Sequence, residues 1–131
     1  GTRYSFRQYP KWVDGQQIMD YKDTQIANYW AQGEASFIVQ VACGRVIRWL
    51  LNNNFFEGCV LPINTVHDAI YLDCVNEEWA RYAGSVVADL MASTPKYICE
   101  IMPGYKAWRY DVVPWPAVAE FGKNMYEKTH C

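Results

Sequence analysis

The chain has 131 residues, enough for one compact domain with a modest core. A composition of 51% hydrophobic, 16% aromatic and 20% charged residues excludes a disordered chain, and a net charge of −2 excludes a self-sufficient, strongly basic nucleic-acid binder. No secretory apolar region opens the chain and no apolar run is long enough for a bilayer, so a cytoplasmic setting without membrane contact is expected. Cys43, Cys59, Cys74, Cys99 and Cys131 show no metal-type spacing and read as reduced thiols. The terminal pair His130-Cys131 reads as a tail.

Residues 1–15 mix turn-formers and aromatics with Arg3, Arg7 and Lys11. This reads as loop or short strands, and the basic-aromatic mixture suits either nucleic-acid contact or simple packing. Residues 16–29 form a weakly periodic helix, with Met19, Ile26 and Tyr29 on one side and Asp20-Tyr21-Lys22-Asp23 as a solvated patch. The strongest helix is 34–53. Ala35, Ile38, Ala42, Val46 and Trp49 recur at spacings of three and four and make one apolar face. Gly44 inside this helix costs about 1 kcal/mol relative to Ala, which points to close packing against a neighbour. Asn52-Asn53-Asn54 ends it.

Two apolar runs, 61–66 and 69–72, then flank His67-Asp68 and predict a hairpin. His-Asp is a poor turn pair beside Asn-Gly or Asp-Gly. The tip reads either as an ordinary Asp-containing turn or as a rigidly placed carboxylate suited to a divalent metal. Asn76-Glu77-Glu78 opens a second helix as N-cap and acidic first turn. Its buried stripe is Trp79, Tyr82/Ala83, Val86 and Leu90, and Pro95 stops it. Residues 97–102 and 108–113 read as strands, 117–121 as a last short strand, and Gly122-Lys123-Asn124 as a turn. The order predicts a single α+β domain over 1–131, with helices covering one face of a small antiparallel sheet.

Several of these segments together resemble the C-terminal part of the palm of family A DNA polymerases, the bacterial polymerase I class that includes many phage enzymes. Asn28-Tyr29-Trp30-Ala31-Gln32-Gly33, followed by a long helix, is similar to the Asn-x-x-x-Gln-Gly start of the long palm helix. Val66-His67-Asp68 is similar to the hairpin called motif C. Val118-Ala119-Glu120-Phe121-Gly122-Lys123-Asn124-Met125 resembles the closing strand, and Gly1-Thr2-Arg3-Tyr4 the stretch after the fingers. The resemblance spans almost the whole chain, and its specificity lies in the order of short pieces.

It implies a catalytic-type hairpin packed against long helices. Asp68 matches the aspartate that binds catalytic Mg²⁺, or Mn²⁺ in its place. His67 matches the histidine beside the primer terminus. Gln32 and Asn28 match residues that touch the primer-template, and Arg3 matches a DNA-contacting arginine. Three positions depart from the pattern: Ala69 stands where glutamate is usual, Thr24 where arginine is frequent, and Trp30 where proline is common. Motif A, the fingers and the thumb are missing, and Asp20-Tyr21 lies too close to Asn28 to be motif A. Two-metal nucleotidyl transfer holds its ions about 3.5–4 Å apart, which one carboxylate cannot do. The resemblance therefore implies a split polymerase, inactive as this chain alone. Its partners would be primer-template DNA, a dNTP, and another polypeptide bearing motif A, fingers and thumb, in the host cytoplasm if viral. The alternative is a non-catalytic DNA-binding or scaffolding module of the same fold, which Ala69 and the missing motifs favour.

Overall fold

The structure, a computed structural model, describes residues 3, 5–104 and 113–130. It is α+β, with long helices and small antiparallel sheets. Two compact units divide it, Gly1–Phe37 and Ile38–Cys131.

In the first unit, β1 (Tyr9–Val13) and β2 (Gln16–Asp20) pair antiparallel, with Val13 opposite Gln16. The strand at 16–20 replaces the first part of the helix expected at 16–29. The cause is Asp14-Gly15, which adopts φ of 49° and 79°. Positive φ at both central positions belongs to the tight hairpin turn for which Asp-Gly is a leading pair. Lys11 bridges to Asp20 at 3.7 Å across the hairpin, and the Lys22 ammonium lies 4.5 Å from the Tyr9 ring centre. The Phe6 ring stacks on Tyr29 at 5.5 Å.

Helix α1 runs over Asp23–Asn52, eleven residues longer at its start than the 34–53 expected. The Lys22 carbonyl accepts from the Gln25 and Ile26 amides, so the helix is anchored before Asn28, and Gly33 does not interrupt it. Ile38, Ala42, Val46 and Leu50 are fully buried. Their spacing of four makes the predicted apolar stripe, with Trp49 half-buried at its margin. Gly44 is exposed, and nothing lies within 4 Å of a Cβ added there. The close packing expected at this glycine is absent. Gly44→Ala should therefore stabilise the chain by about 0.5–1 kcal/mol, seen as a higher urea midpoint. An unchanged or lower midpoint would contradict that account.

Between α1 and β3 the chain makes one left-handed turn. Asn54, Phe55, Phe56 and Glu57 have φ between 49° and 56°, and Gly58 follows at 88°. Asn tolerates this region, but Phe and Glu avoid it at roughly 1–2 kcal/mol each. The offset comes from rings. Phe56 lies 5.1 Å from Trp49, 5.1 Å from Trp79 and 5.9 Å edge-on from Tyr82. Phe55 and Phe56 pack against the core of Val46, Leu50, Val60, Ala83 and Val87.

Strands β3 (Val60–Val66) and β4 (Ala69–Cys74) form the predicted hairpin. Ile70, Leu72 and Cys74 alternate onto the core. The register shifts between Pro62 and Asn64, which places Ile63 in a bulge. Helix α2 (Glu77–Ala92) starts as predicted: the Asn76 side-chain oxygen accepts from the Trp79 amide at 2.9 Å. Its most buried residues are Ala83, which is in the predicted stripe, and Val87, one position after the predicted Val86.

Residues 97–102, expected as a strand, lie mainly in helix α3 (Thr94–Ile101). Tyr97, Ile98 and Cys99 suit strands by composition. Pro95, however, sits in the first helical turn, where its missing N–H costs nothing, and Thr94, Pro95 and Ile98 are buried at helical spacing. The α2–α3 corner is held from α1. The Arg45 Nη1 lies 2.7 Å from the Leu90 carbonyl oxygen, 3.1 Å from Ser93 Oγ and 3.1 Å from Thr94 Oγ1. Its guanidinium sits 4.6 Å from the Tyr97 ring centre. Burial pulls its proton affinity down, and the nearby Tyr97 and Glu100 oppose this. Charge-assisted hydrogen bonds and a cation–ring contact contribute together. Arg45→Ala should cost about 2–3 kcal/mol and lower the urea midpoint by about 1 M. A midpoint within error of the parent would remove Arg45 from this role.

The strand expected at 108–113 lies, except for Val113, outside the described residues. At the C-terminal end β5 (Glu120–Phe121) pairs with β6 (Thr129–His130). His130, expected in a tail, is therefore in a strand, its Nδ1 3.8 Å from Glu120. The turn at Gly122 is tight: a Cβ there would collide with the Glu127 carbonyl oxygen. Asn124 Oδ1 accepts from the Tyr126 and Glu127 amides and fixes that turn. Among the described residues, the single sheet expected is instead three two-stranded sheets. Each strand pairs with its sequence neighbour, and helices separate the pairs. No described helix is long and apolar enough to cross a membrane.

Candidate functional site

The β3–β4 hairpin builds its tip from two residues. Val66 pairs with Ala69, which leaves His67 and Asp68 as the whole turn. His67 has φ of 54°, and Asp68 is not left-handed. Positive φ at the first central position alone is the sign pattern of the II′ hairpin turn, which ordinarily takes Gly there. A histidine in this place carries a backbone cost of roughly 1 kcal/mol or more.

Both side chains are exposed at the tip. The Asp68 carboxylate has no ion-pair partner among the described residues. It is one oxygen-donor group on a rigid support. Divalent Mg²⁺ takes one or two carboxylates together with waters and substrate phosphates. Asp68 thus fits part of such a site. The described residues contain no cluster of three His, Cys, Asp or Glu that could hold a metal unaided. Ala69, after Asp68, adds no donor.

Asn28 and Gln32 lie four residues apart on one face of α1, and both are exposed. Arg3 is exposed in the segment before β1. These three belong to the first compact unit, while His67 and Asp68 belong to the second. The structure brings His67 to Asp68, and Asn28 to Gln32.

Beside the hairpin, within the second unit, runs a groove of about 740 Å³. Its walls come from β4, from the side of α2 carrying Ala80, Gly84 and Ala88, and from the segment Trp115 to Lys123. Asp68 and Asp73 lie along the β4 wall. The last wall is pinned to α2 by the Arg81 guanidinium, 4.4 Å from the Phe121 ring centre. Neither Asp73 nor the groove figures in the sequence reading. The available signal is the spacing of four that puts Ala80, Gly84 and Ala88 on one helix face. Cys43, Cys59 and Cys99 are free thiols, and burial pushes the Cys43 thiol up.

No family model, no curated protein and no solved structure matches this chain.

Proposed function

We propose that the chain is the C-terminal palm part of a split, family A-like and phage-type DNA polymerase. In this reading Asp68 supplies one carboxylate to a metal site that a second polypeptide completes. The observation that carries it is the His67-Asp68 turn. A two-residue hairpin tip that spends backbone energy on a left-handed histidine is explained by what its side chains do.

Bound Mg²⁺ would supply charge stabilisation to the attacking 3′-oxygen and the departing pyrophosphate. The chain's own residues position. Asp68 presents its carboxylate beyond the strand ends. His67 lies at the primer-terminal sugar. The Asn28 and Gln32 amides hydrogen-bond the primer-template without needing net charge, and Arg3 contacts phosphate. The new bond forms between the primer 3′-oxygen and the α-phosphorus of the dNTP as the bond to pyrophosphate breaks. A modest negative charge suits this division of labour, since the basic surfaces would sit on the fingers and thumb of the partner. Large apolar side chains left exposed, such as Leu61, Ile63 and Val66 on β3, suit a chain that works inside an assembly in the cytoplasm of a cell or viral host.

Ala69 favours a second reading, a DNA-binding or scaffolding module without catalysis. Primer extension separates the two. The purified chain alone should not extend a primer, and its complex with a chain bearing motif A and the fingers should. Extension by this chain alone would sink the split-site reading. A complex that binds primer-template with no extension and no Mn²⁺ near Asp68 would establish the second.

A further inference from the structure

We infer that Arg7 is a further phosphate contact for primer-template DNA, carried beside Gln32 and Asn28 by a strap that lies along the start of α1. The inference deepens the polymerase reading and rests on its assignment of Gln32 and Asn28 to the primer-template. Two ring contacts set the strap. The Phe6 ring stacks on Tyr29 at 5.5 Å, and the Lys22 ammonium lies 4.5 Å from the Tyr9 ring centre. The three steps from Phe6 to Tyr9 span about 10 Å in extended backbone, and the seven from Lys22 to Tyr29 about 10.5 Å at the helical rise. The lengths match, so residues 6–9 run antiparallel to the first turns of α1. Gln25 and Ile26, between the two anchors, are half-buried.

This placement divides the aromatic and basic residues of the segment between two jobs. Phe6 and Tyr9 are the half-buried anchors, while Arg7 and Gln8 between them are exposed. Lys11 is held by Asp20 at 3.7 Å, but Arg7 has no ion-pair partner among the described residues. An arginine that neither packs nor pairs, on a strap fixed at both ends, presents the planar donor fork that suits a phosphate. The acids of α1 lie elsewhere. At a turn of about 100° per residue, Gln32 is about 60° around the helix from Tyr29, so the amide side adjoins the strap. Asp23 is turned about 140° from Asn28 and about 180° from Gln32, and Glu34 about 120° and 160°. The side of α1 that carries Thr24, Asn28 and Gln32 is therefore polar and uncharged. A nucleic-acid strand laid across it offers its sugars and base edges to the amides and its phosphates to Arg7, with no carboxylate to repel it.

The probe is a fluorescein-labelled primer-template duplex, titrated into the full chain in EDTA at a series of KCl concentrations and read by anisotropy. Arg7→Gln should weaken binding about fivefold at low salt, equally for two unrelated sequences, and should reduce the slope of log affinity against log salt by about one. Arg7→Lys, which keeps the charge, should keep the slope. Lys96→Gln removes the same charge from an exposed position on α3 and should change neither affinity nor slope. Gln32→Ala should weaken binding with the slope unchanged, because no charge is lost. Thermal melts confirm that each variant folds. A parental slope for Arg7→Gln, or an equal loss from Lys96→Gln, would overturn the inference, and a loss from Gln32→Ala in the same series would leave the polymerase reading standing. A loss from Arg7→Gln with none from Gln32→Ala would keep Arg7 as a phosphate contact and remove Gln32 from the DNA surface. A parent chain that does not bind the duplex overturns the inference, and primer extension by the assembled complex then decides the polymerase reading separately.

Discussion

Phe56→Ala is expected to lower the chain's stability by about 3–5 kcal/mol, most of what a domain of this size ordinarily has in reserve. The ring is the common member of an aromatic cluster joining α1, through Trp49, to α2, through Trp79 and Tyr82. Truncation removes that apolar contact and the favourable ring geometry together. It leaves the backbone cost of the left-handed turn in place, because alanine is no more at ease there than phenylalanine. Phe56→Leu keeps the apolar contact and should recover about half of the loss. Urea denaturation followed by tryptophan fluorescence reads both changes. A Phe56→Ala midpoint within about 0.3 M of the parent would mean that something other than the ring holds the turn.

Asp68→Asn in the assembled complex should reduce primer extension about a thousandfold while leaving the fold intact. A ligating carboxylate becomes a neutral amide of nearly the same shape. The loss should exceed the ten- to hundredfold typical of a group one shell further from a metal. Asp68 is exposed and without an ion pair among the described residues, so the stability of the isolated chain should move by no more than about 0.5 kcal/mol. Asp89→Asn, an exposed acid on α2, provides the control and should leave extension within about twofold. Extension by the Asp68→Asn complex at the parental rate would remove Asp68 from the metal site.

The elements legible in the sequence are those whose signal is local. The α1 stripe follows from a spacing of three and four, the β3–β4 hairpin from two apolar runs about a two-residue gap, and the α2 start from Asn76 followed by two acids. The first hairpin was equally local. Asp14-Gly15 is a strong turn pair, but the spacing of Met19, Ile26 and Tyr29 competes with it as a weak helical period. Helix α3 was obscured because Tyr97, Ile98 and Cys99 favour strands in isolation. What decides their conformation is Pro95 at the helix start and burial at a spacing that only a helix provides. Arg45 could not be found by pattern, because its acceptors Leu90, Ser93 and Thr94 lie in a distant stretch of sequence. Of the candidate site, the hairpin tip was readable. The groove beside it was not, since its lining comes from four separate stretches, Val39 of α1 among them.

The left-handed turn at residues 54–58 also sets an order of assembly. Phe55, Phe56 and Glu57, following an Asn54 that tolerates it, have no intrinsic reason to adopt positive φ in succession, so the turn is unfavourable until its rings dock. Of the three aromatic partners of Phe56, Trp49 precedes the turn and two, Trp79 and Tyr82, are translated after the hairpin that the turn aims. An emerging chain that ends before Trp79 holds every residue of the β3–β4 hairpin but lacks the clamp that orients it against α1. The direction in which Asp68 points is thus settled only once α2 has left the ribosome. Fragments ending at residue 75 should form the local strand pairing in part and never its placement, which pulse-labelled hydrogen exchange on stalled chains would show as unprotected amides at residues 55–57.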